Sequence, residues 1–90
     1  MSLVPGAVLI ELRYPINADG ATLTQITMRR PKVRDQLTAQ KQPGTDVEQE
    51  LTLFANLCEQ STATLLDLDM ADYRTLQDTY QGFLGLTPPS

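Results

Sequence analysis

Histidine and tryptophan are absent from the sequence, and cysteine occurs once. Without histidine the chain lacks the commonest general base, the commonest metal ligand and the side chain that titrates near neutral pH. A lone Cys58 cannot close an intramolecular disulfide, so an oxidising compartment is not implied, and one cysteine does not build a Cys/His zinc site. Gly6, Gly20, Gly44, Gly82 and Gly85 are scattered and form no glycine-rich phosphate loop. Long apolar runs are missing too. The opening stretch MSLVPGAVLIELRYP has no cationic lead, and Glu11 and Arg13 interrupt it. It is expected to be neither a signal peptide nor a membrane span.

Positive charge is scarce beyond residue 41. Residues 42–90 hold Arg74 as their one basic side chain against eight acidic ones, whereas residues 1–41 hold six basic and three acidic. Four of the seven cations, Arg29, Arg30, Lys32 and Arg34, fall within six positions. With a net charge of −4 and a pI near 4.5, the chain is a poor general nucleic-acid binder, since phosphate recognition needs many cations on one face. Two readings of the basic stretch stand side by side. It pairs internally with the acidic helices, or it is a docking surface for an acidic partner.

What is present forms a core. Ninety residues, 41% of them hydrophobic, make one domain built mostly on Leu, Val, Ile and Ala. Residues 8–14 alternate, with Val8, Ile10, Leu12 and Tyr14 on one face of a strand that Pro15 is expected to end. Asn17-Ala18-Asp19-Gly20 tolerates left-handed backbone, and Thr22 to Arg30 resumes as a strand with Ile26 and Met28 on a common face. Together these predict a β-hairpin over about residues 8–30, with Leu23 on the wrong face and a bulge or longer loop as the remedy.

Pro31 suits the first turn of a short helix over about 32–41, whose narrow apolar stripe is Val33 and Leu37. Thr45-Asp46-Val47-Glu48 has the form of a capping box and opens a helix over about 46–59. Its stripe is Val47, Leu51, Phe54 and Cys58, widened by Ala55 and Leu57. Leu65, Leu66 and Leu68 read as a short buried turn. Asp69 or a neighbour caps a last helix over about 70–84, where Tyr73, Leu76, Tyr80 and Phe83 share a face and Gly85 closes it. The order is hairpin and then helices, an α+β domain with one short and two longer helices packed as a small layer.

None of this carries visible catalysis. Asp67, Asp69 and Asp72 lack the ligand pattern of a calcium loop and read as capping residues. Cys58 on an apolar stripe reads as a small core hydrophobe. Tyr73, Tyr80 and Phe83 have the spacing of groove anchors, but a chain so poor in aromatics is expected to need them in its core. No metal or cofactor is expected, and the composition points to a protein-interaction domain of the cytosol.

Several segments, taken together, resemble a known family. They are Leu12-Arg13-Tyr14-Pro15-Ile16 with Asp19-Gly20, then Met28-Arg29-Arg30-Pro31-Lys32-Val33-Arg34-Asp35, then Glu48 to Leu57, then Leu66-Asp67-Leu68-Asp69-Met70-Ala71-Asp72-Tyr73. In this order and spacing they resemble the tail assembly chaperones of Mu-like contractile-tailed bacteriophages and prophages, over about residues 9–84. The resemblance implies a non-catalytic role in the bacterial host cytoplasm. Such a protein would hold the long helical tape-measure protein in solution, help recruit tail-tube subunits, and be missing from the mature virion. It also implies a longer frameshifted product as a possible partner.

No family pattern assigns residue roles. From chemistry alone, Arg29, Arg30, Lys32 and Arg34 are candidates to contact acidic positions, and Met28, Leu37, Tyr73 and Tyr80 to form an apolar face. The sequence leaves other roles open: a tail or baseplate component retained in the particle, or a generic small interaction domain. A dimer formed by strand pairing at the hairpin edges is a further expectation.

Overall fold

A computed structural model describes residues 6–85. Strands β1 (Val8–Ala18) and β2 (Ala21–Met28) form an antiparallel hairpin, followed by helices α1 (Val33–Gln40), α2 (Asp46–Cys58), α3 (Thr62–Leu66) and α4 (Met70–Phe83). The fold is the α+β arrangement that the order of sequence signals predicts.

The hairpin turns tightly. Ala18 pairs with Ala21, leaving Asp19 (φ 52°) and Gly20 (φ 81°) as a two-residue loop with both φ values positive. That is the geometry which matches the twist of the flanking strands, and Asp-Gly is among the pairs that adopt it most easily.

Strand β1 does not stop at Pro15. It runs on to Ala18 because a bulge absorbs the proline: the register passes from Glu11↔Gln25 directly to Ile16↔Leu23. Four residues of β1 therefore face one of β2, and Pro15 sits where no ladder N–H is required. The same slip resolves the parity of Leu23, which ends half-buried against the core. Tyr14 is carried outward and is exposed, as Val8 is, so the inward face of β1 narrows to Ile10 and Leu12.

The bulge frees backbone donors, and α4 supplies their acceptor. Asp72, 1% exposed, takes the N–H of Arg13 on Oδ1 at 2.9 Å and the N–H of Tyr14 on Oδ2 at 3.0 Å. Of the three aspartates expected to cap, Asp69 does so, accepting from Ala71 N–H at 2.8 Å, and Asp67 is the C-cap residue of α3. Asp72 instead fastens the last helix to the first strand.

Ile10, Leu12, Ile26 and Met28 of the hairpin meet Phe54, Leu57, Cys58, Leu65, Leu68 and Leu76 in one core. The tilted Phe54 ring lies 5.7 Å from that of Tyr73 and 5.5 Å from that of Tyr80, within the range of favourable aromatic pairing. Helix α2 opens on the capping box its sequence predicts: Thr45 Oγ1 accepts from Glu48 N–H at 3.2 Å, and Glu48 Oε1 accepts from Thr45 N–H at 3.0 Å. It ends at Cys58, one residue early, because Glu59 turns left-handed (φ 55°). Helix α4 ends at Phe83, and Gly85 follows with φ 78°.

Three expected stripes are corrected. Val33 and Leu37 of α1 point to solvent, 86% and 52% exposed, while Asp35 and Ala39 are buried in their place. Val47 is exposed at the start of α2, and Leu53 is buried on a flank not counted in the stripe. Leu66 points outward although Leu65 and Leu68 on either side are buried. Pro31 also lies one residue before the N-cap, Lys32, rather than in the first turn.

Cys58 is enclosed, and desolvation pushes its thiol up to about 12. It should therefore resist a thiol reagent in the native protein at neutral pH and react fully once urea unfolds the chain. Rapid modification of the folded form would contradict its place in the core.

Candidate interaction surface

The basic stretch spans the junction between β2 and α1, and its four cations have separate fates. Arg29 is held. Its guanidinium makes two parallel bonds to Asp35, Nη1 to Oδ2 at 2.8 Å and Nη2 to Oδ1 at 2.7 Å, and its own N–H reaches Leu57 O at 3.0 Å. Asp35 Oδ2 also accepts the N–H of Lys32 at 2.8 Å. One buried carboxylate thus clamps the strand end and starts the helix, which is why α1 turns Asp35 inward and Val33 outward.

Hydrogen bonding from Arg29 holds the Asp35 carboxyl below its ordinary 3.8, and the carboxylate in turn raises the guanidinium. A depressed carboxyl stabilises the fold above the unfolded-state value, and that contribution is lost as pH falls through the folded one. The stability gap between the wild type and Arg29→Gln should be open at neutral pH and should close on going below 3.8. Urea titrations at both ends of that range measure it; a gap independent of pH would remove the ion pair as its cause.

Arg30 lies along the end of α4. Its guanidinium is 5.2 Å from the centre of the Phe83 ring, and Nη2 donates to Phe83 O at 3.2 Å. The Arg30 stem passes Gly6 so closely that a Cβ there would come within 2.6 Å of Arg30 Cδ. Lys32 and Arg34 are exposed. Among the described residues the ion pairs are Arg29–Asp35 and Arg74–Asp78.

Tyr73 and Tyr80 are half-buried against Phe54. The Tyr73 hydroxyl donates to Glu50 Oε1 at 2.6 Å, and Gln77 Nε2 donates to the same oxygen at 2.9 Å. Burial, with the Glu50 carboxylate beside it, raises the Tyr73 phenol well above its usual range. Met28 is wholly buried and cannot serve an exposed apolar face, whereas Leu37 can.

A shallow cleft of about 150 Å³ completes this edge, lined by Pro31, Lys32, Val33, Leu53, Tyr80 and Leu84 among others. Val33 and Leu84 bring exposed apolar surface to it, and Lys32 brings charge. Sequence reasoning located its one lining cation, Lys32, and Tyr80. It missed Val33 and Leu84 as surface groups, because spacing puts Val33 on an apolar stripe without showing which way that stripe turns. Among the described residues no cluster of three His, Cys, Asp or Glu is placed to hold a metal ion. Nor is any described helix long and apolar enough to cross a membrane.

Residues 9–85 match the family described as phage tail assembly chaperone proteins, E, or 41 or 14. The chain belongs to that family. No curated protein and no solved structure matches it significantly. The matched span begins in β1 and takes in the hairpin, the basic junction, all four helices and Gly85.

Proposed function

We propose that this chaperone binds the long, largely helical tape-measure protein of a phage tail in the host cytoplasm and keeps it soluble while tail-tube subunits assemble around it. It acts without catalysis and leaves before the virion is complete. Membership of the tail assembly chaperone family carries the reading, and the β2–α1 junction suits it. Exposed Val33 and Leu37 supply an apolar contact for a helical stripe, and Arg30, Lys32 and Arg34 beside them favour a partner helix with acidic flanks. Arg29 is left out of the contact set because Asp35 already occupies it.

Lys32→Ser with Arg34→Gln tests this surface without breaking the fold, since serine is a good N-cap and both side chains are exposed. Affinity for the purified tape-measure protein should fall about tenfold and its salt dependence should flatten, with the circular dichroism spectrum unchanged. Unchanged affinity would remove the basic junction from the interface. Mass spectrometry of purified virions distinguishes the chaperone from a component that stays in the particle, because only the latter would be detected.

A further inference from the structure

The opposite end of α4 carries an apolar depression that the basic junction does not use. A cleft of about 170 Å³ lies between α2, α3 and the start of α4, floored by Leu51, Leu68 and Tyr73. Val47, Leu66 and Met70 stand on its rim, 65%, 67% and 77% exposed. A separate cleft of about 260 Å³ adjoins it at Leu51 and Leu66, on the side of α2 that faces Gln42 and Pro43. Three large apolar side chains at one depression is more than the scattered exposure of a typical surface.

The charge around it has one sign. Asp46 flanks Val47, Glu50 bonds to Tyr73, and Asp67 and Asp69 lie between Leu66 and Met70. Residues 42–73 contain no Lys or Arg at all. We infer that this groove binds an amphipathic helix of a partner protein whose apolar face is flanked by Lys and Arg. The inference deepens the proposed function and rests on it only for the partner's identity: the helical partner is gripped at both ends of α4, through acidic flanks at one and basic flanks at the other. Apolar anchors seat in the groove, and cations over the acidic rim set register and reject acidic helices.

A second copy offers one comparable segment, the exposed face of α1 with Val33, Leu37, Lys32 and Arg34. That helix has eight residues, about 12 Å, and its inner side is occupied by its own domain. With two anchors it fills too little of the groove for a stable interface. A longer partner helix fits better.

The probe is a labelled synthetic helix of about 20 residues, with leucines on one face and lysines on the other. Its counterpart replaces each lysine with glutamate. Fluorescence anisotropy should show the lysine peptide binding the full chain at least tenfold more tightly than the glutamate peptide, with affinity falling as salt rises. Leu66→Gln with Met70→Gln, both at exposed positions, should weaken the lysine peptide about tenfold and leave the unfolding curve in place. Equal binding of the two peptides, or no effect of the double variant, overturns the proposal. Sedimentation velocity provides a second arm. Oligomers abolished both by that variant and by Lys32→Ser with Arg34→Gln would make a second copy the occupant and overturn it as well. If the lysine peptide binds as expected but the tape-measure protein is not retained on co-expression, the functional reading fails and the groove stands.

Discussion

Replacing Asp72 with alanine is expected to lower the unfolding free energy by about 3 kcal/mol, because two part-buried backbone donors lose a buried carboxylate acceptor. The size follows from position. In the β1 bulge the ladder to β2 is interrupted, and the N–H groups of Arg13 and Tyr14 both turn to Asp72. With the carboxylate gone, those two donors have only what water can reach, and α4 loses its polar fastening to β1. Against a stability of about 5–15 kcal/mol for a domain of this size, such a loss is a large fraction. In urea the midpoint should fall by about 1–3 M with little change in slope. Asp72→Asn, which keeps one acceptor, should cost about half as much. A midpoint shift for the alanine variant within error of zero would show that the bulge does not need its clamp.

Phe54→Ala should cost still more, about 3–5 kcal/mol. Phe54 is 1% exposed on α2, and both ring contacts it makes, to Tyr73 and Tyr80, lie on α4. Removing the ring deletes its own burial and leaves a void between the two longest helices that the surroundings refill only in part. At about 4–8 °C per kcal/mol the melting temperature should drop by about 20 °C. Phe54→Leu, which refills part of the void, should lose less than half of that. Thermal melts followed by circular dichroism measure both. If alanine melts within a few degrees of wild type, Phe54 is not the hinge of the α2–α4 packing.

These two residues differ in how plainly the sequence shows them. Phe54 lies on a helical stripe that local spacing reveals, and the same logic finds Tyr73, Leu76, Tyr80 and Phe83 on α4. The Thr45–Glu48 box and the Asp19-Gly20 turn are equally local, since their hydrogen bonds or dihedral angles involve residues within three positions. Asp72 is the opposite case. Its role depends on donors 58 and 59 positions away, exposed by a bulge whose register no local pattern sets. Nearby aspartates that cap made capping the natural reading for it too.

The candidate surfaces show the same division. Arg30, Lys32 and Arg34 stand out by charge alone. Val33 and Leu37 share a face by spacing, and spacing says nothing of whether that face turns in or out. The Arg29–Asp35 clamp decides it by drawing the polar side of α1 inward. Leu66 sits in a leucine-rich run that reads as buried, yet α3 has one turn and buries only Leu65 among its residues.

The most direct measurement is co-expression of this chain with a phage tape-measure protein, comparing the soluble fraction of the long protein with and without the chain. The account predicts that the tape-measure protein aggregates alone, becomes soluble with this chain, and elutes with it as one complex. Aggregation in both cases, with no complex recovered, would contradict it.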